Sequence, residues 1–128
     1  MSAAPQIGSI GWHDLTVEHA ALVRDFYSKV VGWKAQALPM GGYDDYVMEP
    51  ASGGIPAAGV CHKRGANADL PAQWLMYIVV EDLDESLSRC QRLGGKQLTD
   101  VRAAGDGTFA VIRDPAGAVC GLYQAGKP

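Results

Sequence analysis

Few side chains in this sequence are placed to do chemistry. His13-Asp14 stand near the start, Cys61-His62 near the middle, and Tyr77 lies inside the run Trp74-Leu75-Met76-Tyr77-Ile78-Val79-Val80. No nucleophile elbow, HExxH helix or glycine-rich phosphate loop is present. Cys61 and His62 are neighbours on one extended segment, where successive side chains diverge, so they are a poor pair for one metal. Asp44-Asp45 follows Gly41-Gly42-Tyr43 and reads as a solvated hairpin turn with too few oxygens for calcium. The useful pair is Asp14 and Tyr77, which fall at the same place in two similar segments. A carboxylate and a phenol held together can orient a ligand, and Asp14 could serve as a general base. A hydrogen bond that only satisfies two buried groups is the structural alternative.

The elements that must carry these residues are written twice. Gly11-Trp12-His13-Asp14-Leu15-Thr16-Val17 runs into a helix pattern ending at Val31-Gly32-Trp33, and Trp74 to Val80 runs into another ending at Leu93-Gly94-Gly95. Each copy is too small to bury its own apolar face, which implies two modules that share a sheet or cavity. In the first helix, Leu22, Val23, Phe26, Tyr27 and Val30 recur three or four apart and predict one buried face. In the second, Asp82 with Glu85 three positions on has capping-box spacing, and Leu83, Leu87 and Cys90 form the stripe.

Strands are predicted at about 9–17, 33–38, 46–49 and 58–62, then at about 74–80, 96–101, 108–113 and 119–124. The turn Asp114-Pro115-Ala116-Gly117 separates the last two. The order is βαβββ twice. It makes one domain over 1–128, with module one at about 8–63, a linker at about 64–73 and module two at about 74–125.

Alternation then sorts the faces. Leu15 and Val17 should meet the helices, which leaves Trp12, Asp14 and Thr16 on the opposite side, with Leu75, Tyr77 and Val79 in the second copy. His13 belongs with Leu15 at the edge of the core unless a bulge intervenes. Gly59 and Gly121 lie within strands, where a missing side chain permits close approach by a ligand or another backbone.

Composition narrows the classes. At 128 residues with 48% hydrophobic and 20% charged residues, the chain is globular and not disordered. A net charge of −3 without a basic run argues against nucleic acid or an anionic membrane as partner. The opening Met-Ser-Ala-Ala-Pro-Gln lacks a signal-peptide pattern, and no apolar stretch reaches spanning length. Cys61, Cys90 and Cys120 are an odd, dispersed set, which predicts reduced thiols and a cytoplasmic setting.

The ordered pieces Phe26-Tyr27, Val31-Gly32-Trp33, Gly94-Gly95 and Asp114-Pro115-Ala116-Gly117 around two βαβββ units resemble the vicinal oxygen chelate superfamily. That superfamily includes glyoxalase I, extradiol dioxygenases and bleomycin-resistance proteins. The resemblance implies an α+β fold in which two βαβββ modules form a curled mixed sheet around a shared cavity. It also implies four metal-ligand positions, which here fall on Trp12, Gly59, Leu75 and Gly121.

None of those four side chains can ligate a divalent metal. The leading expectation is therefore metal-independent binding of a small aromatic or apolar molecule, with no cofactor. Trp12, Asp14, Thr16, Gly59, Leu75, Tyr77 and Gly121 would form the site, and Asp14 and Tyr77 would be its polar anchors. The alternatives are a metal-dependent lyase or dioxygenase with atypical ligands, a metal-free isomerase, or a subunit without ligand. A homodimer is expected, since C2 pairs are the commonest soluble assembly.

Overall fold

The computed structural model describes residues 5–126. The opening residues 1–4, part of the stretch read above as lacking a signal peptide, lie outside that range, as do residues 127 and 128. The described chain has an α+β fold built from two βαβββ modules, each with a mixed sheet, the first strand after the helix of the second module being broken into two short pieces. Its elements are β1 (Ile10–Val17), α1 (Ala20–Val30), β2 (Lys34–Pro39), β3 (Asp44–Glu49), β4 (Ala58–His62), β5 (Trp74–Val79), α2 (Leu83–Arg92), β6 (Lys96–Gln97), β7 (Arg102–Ala104), β8 (Gly107–Arg113) and β9 (Val119–Gln124). By compactness the described chain divides into residues 13–74 and residues 5–12 with 75–126. The N-terminal stretch joins the second module because it is hydrogen-bonded to β5. Gly8 N–H donates to Val79 C=O at 2.7 Å and Val79 N–H to Ser9 C=O at 2.9 Å.

In the unit 13–74 the strand order is β2-β3-β4-β1, antiparallel except for the parallel β4–β1 pair. Helix α1 covers one side of this sheet. Ala20, Tyr46, Met48 and Val60 form the core, with Val17, Val23, Tyr27, Trp33 and Ala35 packed against it. Gly32 ends the helix at φ 78°, a left-handed conformation that costs glycine little.

The single buried stripe expected on α1 is corrected here. Leu22, Phe26 and Val30 are 70%, 55% and 60% exposed. At roughly 100° per residue, positions 20, 23 and 27 follow one line along the helix and 22, 26 and 30 a second, and only the first meets the sheet. The acidic pair Asp44-Asp45 is also corrected, because it lies within β3 and not in a turn. Asp45 is only 5% exposed.

In the unit 5–12 with 75–126, the order is β5-β9-β8-β6, with β7 also on β8 and the β5–β9 pair parallel. Helix α2 starts as predicted: Asp82 caps it by accepting the Glu85 N–H at 3.1 Å. Its apolar stripe, Leu83 and Leu87, meets Ala110, Ile112 and Leu122, with Ile78, Val80, Cys90 and Cys120 at the margin.

The strand predicted over about 96–101 is broken into β6 and β7. Leu98 and Thr99 N–H both point to Val111 C=O, at 2.8 and 3.4 Å, and Thr99 Oγ1 accepts the Val111 N–H at 3.0 Å. Two residues opposite one is a bulge, with a hydroxyl standing in for a ladder carbonyl. Among the described residues, no helix is long and apolar enough to cross a membrane.

Candidate functional site

In the unit 13–74 the strand register fixes which side chains share a face. Leu15 pairs with Val60 and Val17 with His62, and Val17 and Val60 both belong to the core under α1. Asp14, Thr16, Gly59 and Cys61 therefore share the side away from the helix, where Asp14 pairs with Gly59 and Thr16 with Cys61. The structure brings the predicted Asp14, Thr16 and Gly59 together and adds Cys61 and Asp45. Thr16 is 3% exposed.

Asp45 accepts the backbone N–H of His62 at 2.8 Å, and the His62 Nδ1 lies 3.6 Å from the same oxygen. A buried carboxylate needs such partners. Burial pushes the Cys61 thiol far up, and the charges of Asp14 and Asp45 push it further. The neutral thiol is thus the settled form in the fold.

His62 faces the helix side, away from Cys61, as alternation requires. Its ring meets Tyr43 edge-on at 5.6 Å and Tyr46 at 6.2 Å. Arg64 lies over the Tyr43 ring and Arg24 over the Tyr46 ring, at 4.2 and 4.6 Å. His13 is exposed on the helix-side parity of β1.

In the other unit, Leu75, Tyr77 and Val79 face away from α2, since Ile78 and Val80 pack in the α2 core. Tyr77 pairs with Gly121, as Asp14 pairs with Gly59. A β-carbon built at 121 would overlap the Tyr77 ring, so that ring lies across the glycine. Phe109 stands edge-on to Tyr77, with centroids 5.7 Å apart and planes at 75°. The predicted Leu75, Tyr77 and Gly121 are thus neighbours on one face, together with Val111, Phe109 and Tyr123. Trp12 is half-buried on β1. Trp12, Asp14 and Tyr77 each have an interaction partner within the chain.

Asp45, Cys61, Phe109 and Tyr123 are not expected on these faces from the sequence. Asp45 resembled a turn residue because glycines precede it. Phe109 and Tyr123 become visible only once the registers of β8 and β9 are known.

The donor set does not fit a divalent metal. Trp12, Gly59, Leu75 and Gly121 offer no ligating side chain, and among the described residues no three His, Cys, Asp or Glu side chains are grouped to hold one. What the two faces offer is apolar and aromatic surface with a few carboxylate, hydroxyl and phenol groups set into it.

Comparison with known proteins assigns a family. A family model described as a glyoxalase-like domain matches residues 13–122. CFP32 of Mycobacterium tuberculosis, provisionally named a glyoxylase, is 32% identical over 122 residues, covering 94% of this chain and 47% of its own. The anthracycline biosynthesis protein DnrV of Streptomyces peucetius is 30% identical over 131 residues, covering 93% and 48%. The chain spans about half the length of these curated relatives. The crystal structure of methylmalonyl-CoA epimerase from Mycobacterium tuberculosis superposes with a TM-score of 0.58 at 16% identity, covering 100% of this chain and 94% of that one. That likeness concerns the fold.

Proposed function

Because the chain belongs to the glyoxalase-like family of the vicinal oxygen chelate superfamily, we propose that it binds a small aromatic or apolar molecule without a metal, on the sheet faces turned away from its helices. One observation carries this reading. The positions that the family resemblance assigns to metal ligands hold no donor, while in each unit a polar side chain, Asp14 or Tyr77, stands beside a strand glycine. Apolar walls with a few fixed polar groups suit an uncharged or weakly polar ligand. The name of DnrV supports a ligand of aromatic character.

The test is a thermal-shift panel of planar aromatic and aliphatic compounds on chelator-treated protein. A binder at 100 times its Kd stabilises the native state by about 2.7 kcal/mol, a shift of several degrees for a chain of this size. No shift across the panel, or shifts that appear only with added divalent metal, would overturn the proposal.

The same reading has the chain act in the cytoplasm, in keeping with its three free cysteines, and pair as a homodimer. The exposed stripe Leu22, Phe26 and Val30 on α1 supports pairing through that helix. Light scattering should give twice the chain mass, and Phe26→Asp should return the monomer mass; a monomer throughout a dilution series counts against pairing.

A further inference from the structure

On the face of the second-module sheet that turns away from α2, the strand registers lay four residues in a row. Arg102 pairs with Phe109, Phe109 with Tyr123, and Tyr123 with Val79, so all four share one side of β7, β8, β9 and β5. Two tyrosines lie down on this sheet instead of standing up from it. Tyr77 lies across Gly121, and the end of Tyr123 lies over Gly107, where a β-carbon would sit 2.6 Å from the phenol oxygen. The next position beside Gly107 is Ala104, also small. The result is a floor of aromatic rings with Phe109 upright beside it and a guanidinium at its margin.

Tyr77 is 7% exposed and closes one end. Tyr123, Phe109 and Arg102 are half-buried and form the accessible end. A flat ring surface favours a flat ligand, which stacks offset on one ring and meets the edge of another. An arginine at the margin favours an anionic group, because its planar fork matches a carboxylate with two parallel hydrogen bonds. Arg102 has a partner within the chain, and its five N–H donors leave capacity for a ligand.

We propose that this face binds a planar aromatic anion, stacked on Tyr123 against Phe109 with its acidic oxygens held by Arg102. The proposal rests on the small-molecule reading above and narrows it to one ligand class and one unit. The probes are anthracene-2-carboxylate and its neutral counterpart 2-(hydroxymethyl)anthracene, titrated by fluorescence into the full chain. The carboxylate should bind at least about 10-fold more tightly, as expected for a charge-assisted hydrogen-bonded pair. Arg102→Gln should erase that preference by weakening the carboxylate far more than the alcohol, whereas Arg102→Lys should retain part of it. Tyr123→Leu should weaken both probes. Equal binding of the two probes by the parent chain overturns the proposal, as does a preference that survives Arg102→Gln. If Arg102→Gln does not fold, a preference as large in Arg102→Lys as in the parent overturns the role given to the fork. Absence of binding by either probe also overturns it, while the broader reading stands or falls separately on the compound panel.

Discussion

Gly121→Ala should destabilise the chain by about 1–3 kcal/mol, the usual cost of forcing atoms into a filled site. A glycine in an open strand behaves in the opposite way. There, alanine removes freedom from the unfolded chain and adds about 0.4–1 kcal/mol of stability. The sign turns on Tyr77, whose ring occupies the space that a β-carbon at 121 needs and is fixed by Phe109 and by burial. Tyr77→Leu in the Gly121→Ala background should therefore recover part of the loss, giving strongly non-additive denaturant midpoints. Additive effects, or a neutral Gly121→Ala, would place the ring elsewhere. The experiment bears on function because it shows whether the glycine serves the protein's own tyrosine, leaving the ring as part of the ligand's floor.

Alkaline pH should destabilise the chain through the half-buried thiol of Cys61. Burial first, then the charges of Asp14 and Asp45, raise the Cys61 thiol above its ordinary value of 9.0. Below that value both folded and unfolded chains keep the proton, and the stabilisation is fully present. Above it the unfolded chain loses its proton while the folded chain holds on, so stability falls with pH until the folded thiol itself ionises. The slope reaches at most about 1.4 kcal/mol per pH unit for this one group.

Burial also raises the Cys120 thiol, and its contribution has the same sign. The comparison that isolates Cys61 is Cys61→Ala against the parent, by urea unfolding between pH 7 and pH 11. The variant starts less stable through lost packing, and the two curves should converge as pH rises above 9. Parallel curves would mean that Cys61 is not held neutral by its surroundings.

Much of this architecture was legible because it rests on local rules. Alternation from Leu15 and Val17 placed Asp14 and Thr16 on the far side of β1, and the β1–β4 register agrees. The Asp82–Glu85 cap and the Leu83–Leu87 stripe needed only helix spacing. What failed required knowledge of partners. Leu22, Phe26 and Val30 have helical spacing as good as that of Val23 and Tyr27, and only the position of the sheet decides which line is buried. Asp45 follows a glycine turn in sequence but is drawn into β3 by the free N–H of His62. Arg102 falls between the strands predicted at about 96–101 and 108–113, and only the bulge at Leu98-Thr99, which restarts pairing at β7, brings it into the sheet. Phe109 and Tyr123 lie in strands that were predicted, yet their common face with Tyr77 comes from the β8–β9–β5 registers alone.

The central claim is metal-free binding of a small molecule on the sheet faces opposite the helices. Its most direct test is a map of backbone amide chemical shifts on chelator-treated protein titrated with 2-(hydroxymethyl)anthracene. Saturable changes are expected at strand positions such as Tyr77, Phe109, Gly121 and Tyr123 without added metal, with little change along the exposed sides of α1 and α2. Changes confined to the helices, or binding that begins only when a divalent metal is restored, would contradict it.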